Sequence, residues 1–206
     1  MMNISQKLLT RHNLISEQVS REQLGVILAE LERVVQQGTP GAVVEFGCYI
    51  GTTSLFIRRL LDAHNDTREF HVYDSFEGLP PKAAQDASPA GEQFKSGELS
   101  VGKKQFLGEF QKAGLRPPVV HKGWFSDLTP EDVPQPIAFA FLDGDFYESI
   151  RASLKLVLPR LSPGATLILD DYAREALPGV AKALHDIAPV LANKAAVSHN
   201  LAVIHL

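Results

Sequence analysis

Apolar positions along this chain fall into blocks of two kinds, one with a helical period and one nearly continuous. Between about Leu14 and Gln37 they recur every three or four residues (Leu24, Ile27, Leu28, Leu31, Val34, Val35), which predicts a single amphipathic helix. Gly38-Thr39-Pro40-Gly41 ends it. Val43-Val44-Glu45-Phe46-Gly47 reads as a short buried strand, followed by a glycine-containing turn and a helix from about Thr52 to His64. Phe70 to Asp74 predicts a second strand. After a long irregular stretch come a helix near Ser100 to Ala113, a strand around Pro118 to His121 and a strong strand from Ile137 to Asp143. Phe146 to Leu158 is helical, Ser162-Pro163-Gly164 predicts a turn, and Ala165 to Asp170 is another apolar strand. A helix from about Ala176 to Ala188 and two short strands, near Leu191 and over Leu201 to Leu206, complete the pattern.

Strands alternating with helices predict an α/β domain with a mostly parallel sheet, its apolar runs covered on both faces. In such sheets ligands bind beyond the carboxyl ends of the strands, where the strand order reverses. The stretch from Ser75 to about Leu99, with Pro80-Pro81, Pro89 and three glycines, is far longer than an ordinary connection and is expected to be a lid, a binding loop or a disordered segment. The N-terminal amphipathic helix either packs on its own sheet or mediates a homodimer; periodicity allows both.

A length of 206 residues suits one domain, 1–206. Apolar residues at 45% and charged residues at 21% are ordinary for a soluble globular protein. A net charge of −4 without clustered Lys and Arg argues against nucleic-acid binding. No apolar run is long enough to span a membrane, and Met1 to Thr10 lacks the apolar core of a signal peptide. The single cysteine, Cys48, excludes an internal disulfide and fits a reducing compartment, so the expected location is the cytoplasm.

Four strands end in acidic or glycine-rich punctuation: Glu45-Phe46-Gly47, Asp74, Asp143-Gly144-Asp145 and Asp170-Asp171. One such Asp is an ordinary helix cap. Four at one sheet edge repel one another and call for a ligand or cation. Gly47 and Gly51 let a ligand approach the backbone, and the following helix offers free N–H groups that suit a phosphate or a carboxylate equally. The G-x-G-x-x-G dinucleotide pattern is absent, and Asp74 lies 27 positions after Gly47. No phosphate-loop motif and no G-x-S-x-G elbow is present, which sets aside nucleoside triphosphatases and serine hydrolases. Asp143, Asp170 and Asp171 end strands expected about 4.8 Å apart, so they can converge. Hard carboxylate oxygens suit Mg²⁺, and equally Mn²⁺. Asp170, Asp171 or Asp145 can alternatively serve as helix caps.

Glu45-x-Gly47-x-x-x-Gly51 resembles the first motif of class I S-adenosylmethionine-dependent methyltransferases. Four further blocks sharpen the resemblance to the macrocin O-methyltransferase family: Tyr73-Asp74-Ser75-Phe76-Glu77-Gly78-Leu79-Pro80, Gly123-Trp124-Phe125, Leu142 to Ser149, and Leu158 to Gly164 continuing to Asp170-Asp171-Tyr172. The resemblance runs from about Val43 to Tyr172. It implies a Rossmann-like, seven-stranded sheet of order 3-2-1-4-5-7-6 and an O-methyltransferase acting on a small-molecule hydroxyl, of a sugar or another natural product. It implies S-adenosylmethionine bound by Glu45, Gly47, Tyr49, Gly51, Thr52, Thr53, Asp74, Ser75, Trp124, Phe125 and Asp143, with Asp74 on the ribose and Trp124-Phe125 near the adenine. Asp143, Asp170 and Asp171 are the implied metal ligands. Asp143, Asp145 or, failing these, His121 takes the acceptor's proton; His121 and Trp124 also read as ordinary packing residues. The layout is similar to catechol O-methyltransferases, except that Phe146 stands where those enzymes carry a lysine base. A catechol-like phenol methyltransferase and a non-catalytic cofactor-binding module are the alternatives.

Overall fold

Ser20 stands immediately before the helical run, and there the helix begins. In the computed structural model, which describes residues 3–92 and 94–206, Ser20 Oγ accepts the Gln23 N–H while the Gln23 side chain accepts the Ser20 N–H. This reciprocal capping box opens α2 (Arg21–Gln36). The single helix expected from Leu14 therefore starts at Arg21. A separate α1 (Ile4–Arg11), capped by Asn3, precedes it, and residues 12–20 run irregularly between the two. Leu24, Ile27, Leu28, Leu31 and Val34 of α2 are fully buried in the chain's own core, so the apolar stripe packs on its own sheet.

The sheet has seven strands: β1 (Ala42–Phe46), β2 (Phe70–Asp74), β3 (Val119–Lys122), β4 (Ile137–Leu142), β5 (Leu161–Leu169), β6 (Ala196–Ser198) and β7 (Leu201–His205). Their order is β3-β2-β1-β4-β5-β7-β6, as expected, with β1 to β5 parallel and β6 and β7 antiparallel. Residue alternation explains the continuous apolar runs. Val43, Val72, Phe139 and Ile168 face α1, α2, α3 (Thr52–Ala63) and α4 (Lys103–Ala113), while Val44, Tyr73, Ala140 and Leu167 face α5 (Tyr147–Val157) and α6 (Gly179–Ile187).

Two expectations at the C-terminal half are corrected. Ser162-Pro163-Gly164, expected as a turn, lies inside β5. Ile137 pairs with Leu161 and Phe139 with Thr166, so the three extra residues bulge out of the ladder, and Gly164 (φ +82) permits it. The strand expected near Leu191 is instead the short helix α7 (Pro189–Ala192), since Pro189 is preset for a helix's first turn, and the strand follows at β6. Among the described residues, no helix is long and apolar enough to cross a membrane.

The Ser75–Leu99 connection is folded down by a buried carboxylate. Asp86, in a 3₁₀ turn (Ala84–Asp86), accepts the Tyr147 N–H at 2.7 Å and the Ala83 N–H at 2.9 Å. It thereby serves as an anion at the N-terminus of α5, where no side chain of the local sequence caps. Gly179 at the start of α6 leaves room for it; a Cβ there would sit 1.8 Å from Asp86 Oδ1. Ser88 Oγ, donating to the Glu175 carbonyl at 2.9 Å, adds a second tie.

Candidate active site at the carboxyl ends of the strands

Gly47 leaves β1 with φ +88, and a Cβ on it would fall 1.9 Å from the Asp143 carbonyl oxygen. Only glycine lets the ends of β1 and β4 pass this closely. Gly51 (φ +98) precedes α3 and, having no side chain, caps none of the N–H groups of its first turn. Asp74 ties the glycine turn to the end of β2. Its Oδ2 accepts the Cys48 N–H at 2.9 Å and the Tyr49 N–H at 3.3 Å, and its Oδ1 accepts the Phe76 N–H at 2.7 Å. A carboxylate has about four acceptor sites, so Asp74 keeps capacity for about one further donor, such as a hydroxyl.

A cleft opens beside these ends. Of the residues expected to hold a cofactor, Gly47, Tyr49, Asp74, Ser75, Trp124, Phe125 and Asp143 line it. Gly51, Thr52 and Thr53 do not; the two threonines are buried in the first turn of α3, where Thr52 Oγ1 lies 2.7 Å from Ser16 Oγ. Glu45 does not line it either, being fully buried, with Ser54 Oγ donating to its Oε2 at 2.5 Å. Trp124 belongs to the cavity wall rather than to the core, and Phe125 meets Phe46 edge to face at 5.2 Å. Sequence reasoning missed Leu79, Pro80 and Leu99, which the long loop contributes, and Ser149. The loop's length was the available signal; which of its residues turn inward was not readable.

Asp143, Asp145 and Asp171 bring carboxylate oxygens within 4.8 Å of one another. The expected trio contained Asp170 in place of Asp145. Asp170 is diverted: its Oδ1 accepts the Gln23 Nε2–H at 2.9 Å and the Asp171 N–H at 2.8 Å. Asp145 does not cap α5, a place Asp86 fills. Asp145 (φ +59), Asp171 (φ +55), Tyr49 (φ +47) and Phe76 (φ +56) all hold left-handed backbone here, a concentration of local strain typical of functional sites. Burial, reinforced by Asp171 and Asp170, pushes Asp145 up to about 8. Burial and then Asp171 push Asp170 to about 7. Asp143 is raised by burial and then by Asp170 and Asp145; Asp171 is raised by burial, opposed by Arg174, whose Nη1 lies 3.0 Å from its Oδ1. The arrangement stores like-charge repulsion that a cation would relieve.

The structure does not bring His121 to this cluster. The β2–β3 register pairs it with Tyr73, and its ring stacks on Tyr73 at 4.4 Å with Nε2 3.0 Å from His71 Nδ1. Tyr73 in turn donates to the Asp132 carbonyl, so this stack faces a different loop from the cavity.

Glu45 has a measurable consequence. Burial raises its carboxyl to about 8, against an ordinary 4.5. Between those pH values the unfolded chain releases this proton while the folded chain keeps it, so Glu45 makes stability fall as pH rises through that window. Glu45→Gln is expected to remove its share of the fall. The difference in melting temperature between variant and wild type should widen in the variant's favour from pH 5 to pH 8; a constant difference would show that Glu45 is ionised in the fold.

The macrocin-O-methyltransferase (TylF) family model matches residues 13–199. The 8-demethyl-8-(2,3-dimethoxy-alpha-L-rhamnosyl)-tetracenomycin-C 4'-O-methyltransferase of Streptomyces olivaceus is 40% identical over 153 residues, covering 71% of this chain and 58% of that protein. The mycinamicin III 3''-O-methyltransferase of Micromonospora griseorubida is 31% identical over 166 residues, 76% of this chain and 63% of that protein. The chain thus spans less than two thirds of the length of these relatives. Among solved structures, the O-methyltransferase NovP superposes with a TM-score of 0.79 at 24% identity, over 91% of this chain and 80% of that one. CalS11, a calicheamicin methyltransferase, superposes with a TM-score of 0.73 at 21% identity, over 97% and 89%, a likeness of fold. With the family model matched from residue 13 to residue 199, the chain belongs to the macrocin-O-methyltransferase (TylF) family.

Proposed function

We propose that this chain transfers a methyl group from S-adenosylmethionine to a hydroxyl of a sugar or related natural-product acceptor, assisted by a divalent cation, Mg²⁺ or Mn²⁺. The observation that carries the reading is that one cavity joins two chemistries, with Asp143 belonging to both. One part is a cleft with an acceptor carboxylate (Asp74), a glycine turn (Gly47) and an aromatic wall (Trp124). The other is a cluster of carboxylates, Asp171 buried and Asp143 and Asp145 half-buried. The relatives' names, all O-methyltransferases of glycosylated or related natural products, point the same way.

The donor set fits a hard cation: oxygen ligands only, brought together at a charge cost that Arg174 beside Asp171 offsets only in part. Asp143, Asp145 and Asp171 would hold it, with Asp170 beside them. When bound, the cation lowers the pKa of a nearby hydroxyl and orients it. The remaining work falls to this chain. Asp74 takes a ribose hydroxyl and Trp124 packs on the adenine. A carboxylate of the cluster, Asp143 or Asp145, both on the cavity wall, accepts the proton of the attacking oxygen. Leu79, Pro80 and Leu99 of the long loop cover the cleft and exclude water. The intact cluster weighs against a non-catalytic module.

Calorimetric titration with S-adenosylhomocysteine, in Mg²⁺ and again in chelator, is expected to show saturable one-site binding. Methyl transfer to sugar hydroxyls should then be lost with chelator. Absence of binding in both conditions would overturn the methyltransferase reading; full turnover in excess chelator would remove the cation from it.

A further inference from the structure

The N-terminal helical segment reaches the acidic strand ends through one side chain. Gln23 occupies the third position of α2, and its amide is divided between two partners 150 residues apart in the chain. Its Oε1 accepts the Ser20 N–H at 3.0 Å, and its Nε2 donates to Asp170 Oδ1 at 2.9 Å. The assignment of the two amide atoms is forced by chemistry: the Ser20 N–H only donates, so the amide oxygen faces it and the NH₂ faces Asp170. Glutamate and glutamine complete a capping box equally well. Only glutamine serves here, because a glutamate would set a second acceptor against Asp170.

The contact decides how Asp170 stands. Both hydrogen bonds that Asp170 accepts land on Oδ1, one from Gln23 and one from the Asp171 N–H, and the residue is only 4% exposed. Two donors on one oxygen fix the carboxylate's rotation and leave Oδ2 for whatever occupies the cluster beside it. Partners of this kind, which orient a ligating or neighbouring carboxylate without touching the ion, commonly set metal affinity.

We propose that Gln23 is a positioning residue for the cation site: its side-chain amide, donating to Asp170, sets that carboxylate's orientation and through it cation affinity. The inference rests on the cation reading above. It makes the N-terminal segment a part of the site and not only its cover.

The test is titration of the full chain with Mn²⁺, followed by calorimetry, for wild type, Gln23→Met, Gln23→Ala and Ser20→Ala. Ser20→Ala removes the same cap but leaves the Gln23–Asp170 contact, so it reports what loss of helix order alone does. Ser20→Ala is expected to lower the melting temperature by about 2–4 °C and to leave Mn²⁺ affinity within about twofold. Both Gln23 variants are expected to lose about 10–100-fold in Mn²⁺ affinity at a similar melting temperature. Wild-type affinity in the Gln23 variants would overturn the inference while leaving the cation reading intact. An equal loss in Ser20→Ala would also overturn it, since the role would then be helix stability alone. Failure of the wild-type chain to bind Mn²⁺ would overturn the cation reading and this inference together.

Discussion

Asp143→Asn is expected to lower the rate of the proposed methyl transfer by about 10²–10³-fold or more, while the fold stays as stable as wild type or becomes more so in metal-free buffer. The two effects share one cause. The main chain of Asp143 is held independently of its side chain, its N–H donating to the Phe46 carbonyl at 2.8 Å where β4 leaves the sheet. The side chain lies on the cavity wall among Asp145, Asp170 and Asp171, and burial together with those charges drives its carboxyl well above the ordinary range. A neutral amide of the same shape removes one like charge from the cluster. For a carboxyl raised in the fold, the cost of ionisation grows as pH rises, so the gain in melting temperature should be larger at pH 8 than at pH 5. Turnover is read with a sugar acceptor under saturating cofactor, and stability by thermal melts in chelator. A variant that turns over normally would show that the cluster has no chemical role. A melting temperature lower by many degrees would show that the carboxylate is a structural partner instead.

Gly47→Ala is expected to be the most damaging single-methyl change in the chain. The added carbon would stand 1.9 Å from the Asp143 carbonyl oxygen, and the backbone sits at φ +88, where side chains are strained. Main chain cannot swing aside as a flexible side chain can, so β1 and β4 must part at the point where the cleft opens. A cost of about 4 kcal/mol or more is expected, lowering the melting temperature by roughly 10 °C or preventing soluble expression. Gly38→Ala is the control. It too has positive φ (+65), but nothing lies within 4 Å of its added carbon. It should cost about 1 kcal/mol, the backbone strain alone. Equal losses in both variants would mean that conformation, not the close approach to Asp143, makes Gly47 necessary.

The core of the architecture was legible because its signals are local. Strands covered on both faces must be apolar at every position, and Val43–Phe46 and Ile137–Leu142 are. The strand-end residues that line the cleft, Gly47, Asp74 and Asp143, followed from the same logic, since an acid or a glycine directly after such a strand lies at the ligand-binding edge. Where the helix near the N-terminus starts was also written locally, in Ser20 and Gln23 as a capping box, but the apolar period alone ran the helix back to Leu14. Short-range chemistry overrode periodicity there, as it did at Pro189.

What escaped the sequence lies in contacts between distant residues. Asp86 is one carboxylate in a long proline-containing loop, with no local sign that it would reach the first turn of a helix 61 residues on. His121 ends a strand just as Asp143 does, yet the β2–β3 register sends its ring into a stack with Tyr73. The amino-acid sequence by itself determined the alternation of strands and helices, the glycine turn and the ring of acids at one sheet edge, because each depends on residues within a turn or a strand of one another. The tertiary structure alone decided which acids converge. Left-handed backbone at Asp145 and Asp171 turns two of them inward, and an amide from Gln23, 147 residues away, holds Asp170 by one oxygen. Side-chain direction at a strand end is set by whatever packs against it, and that is fixed only once the chain has closed.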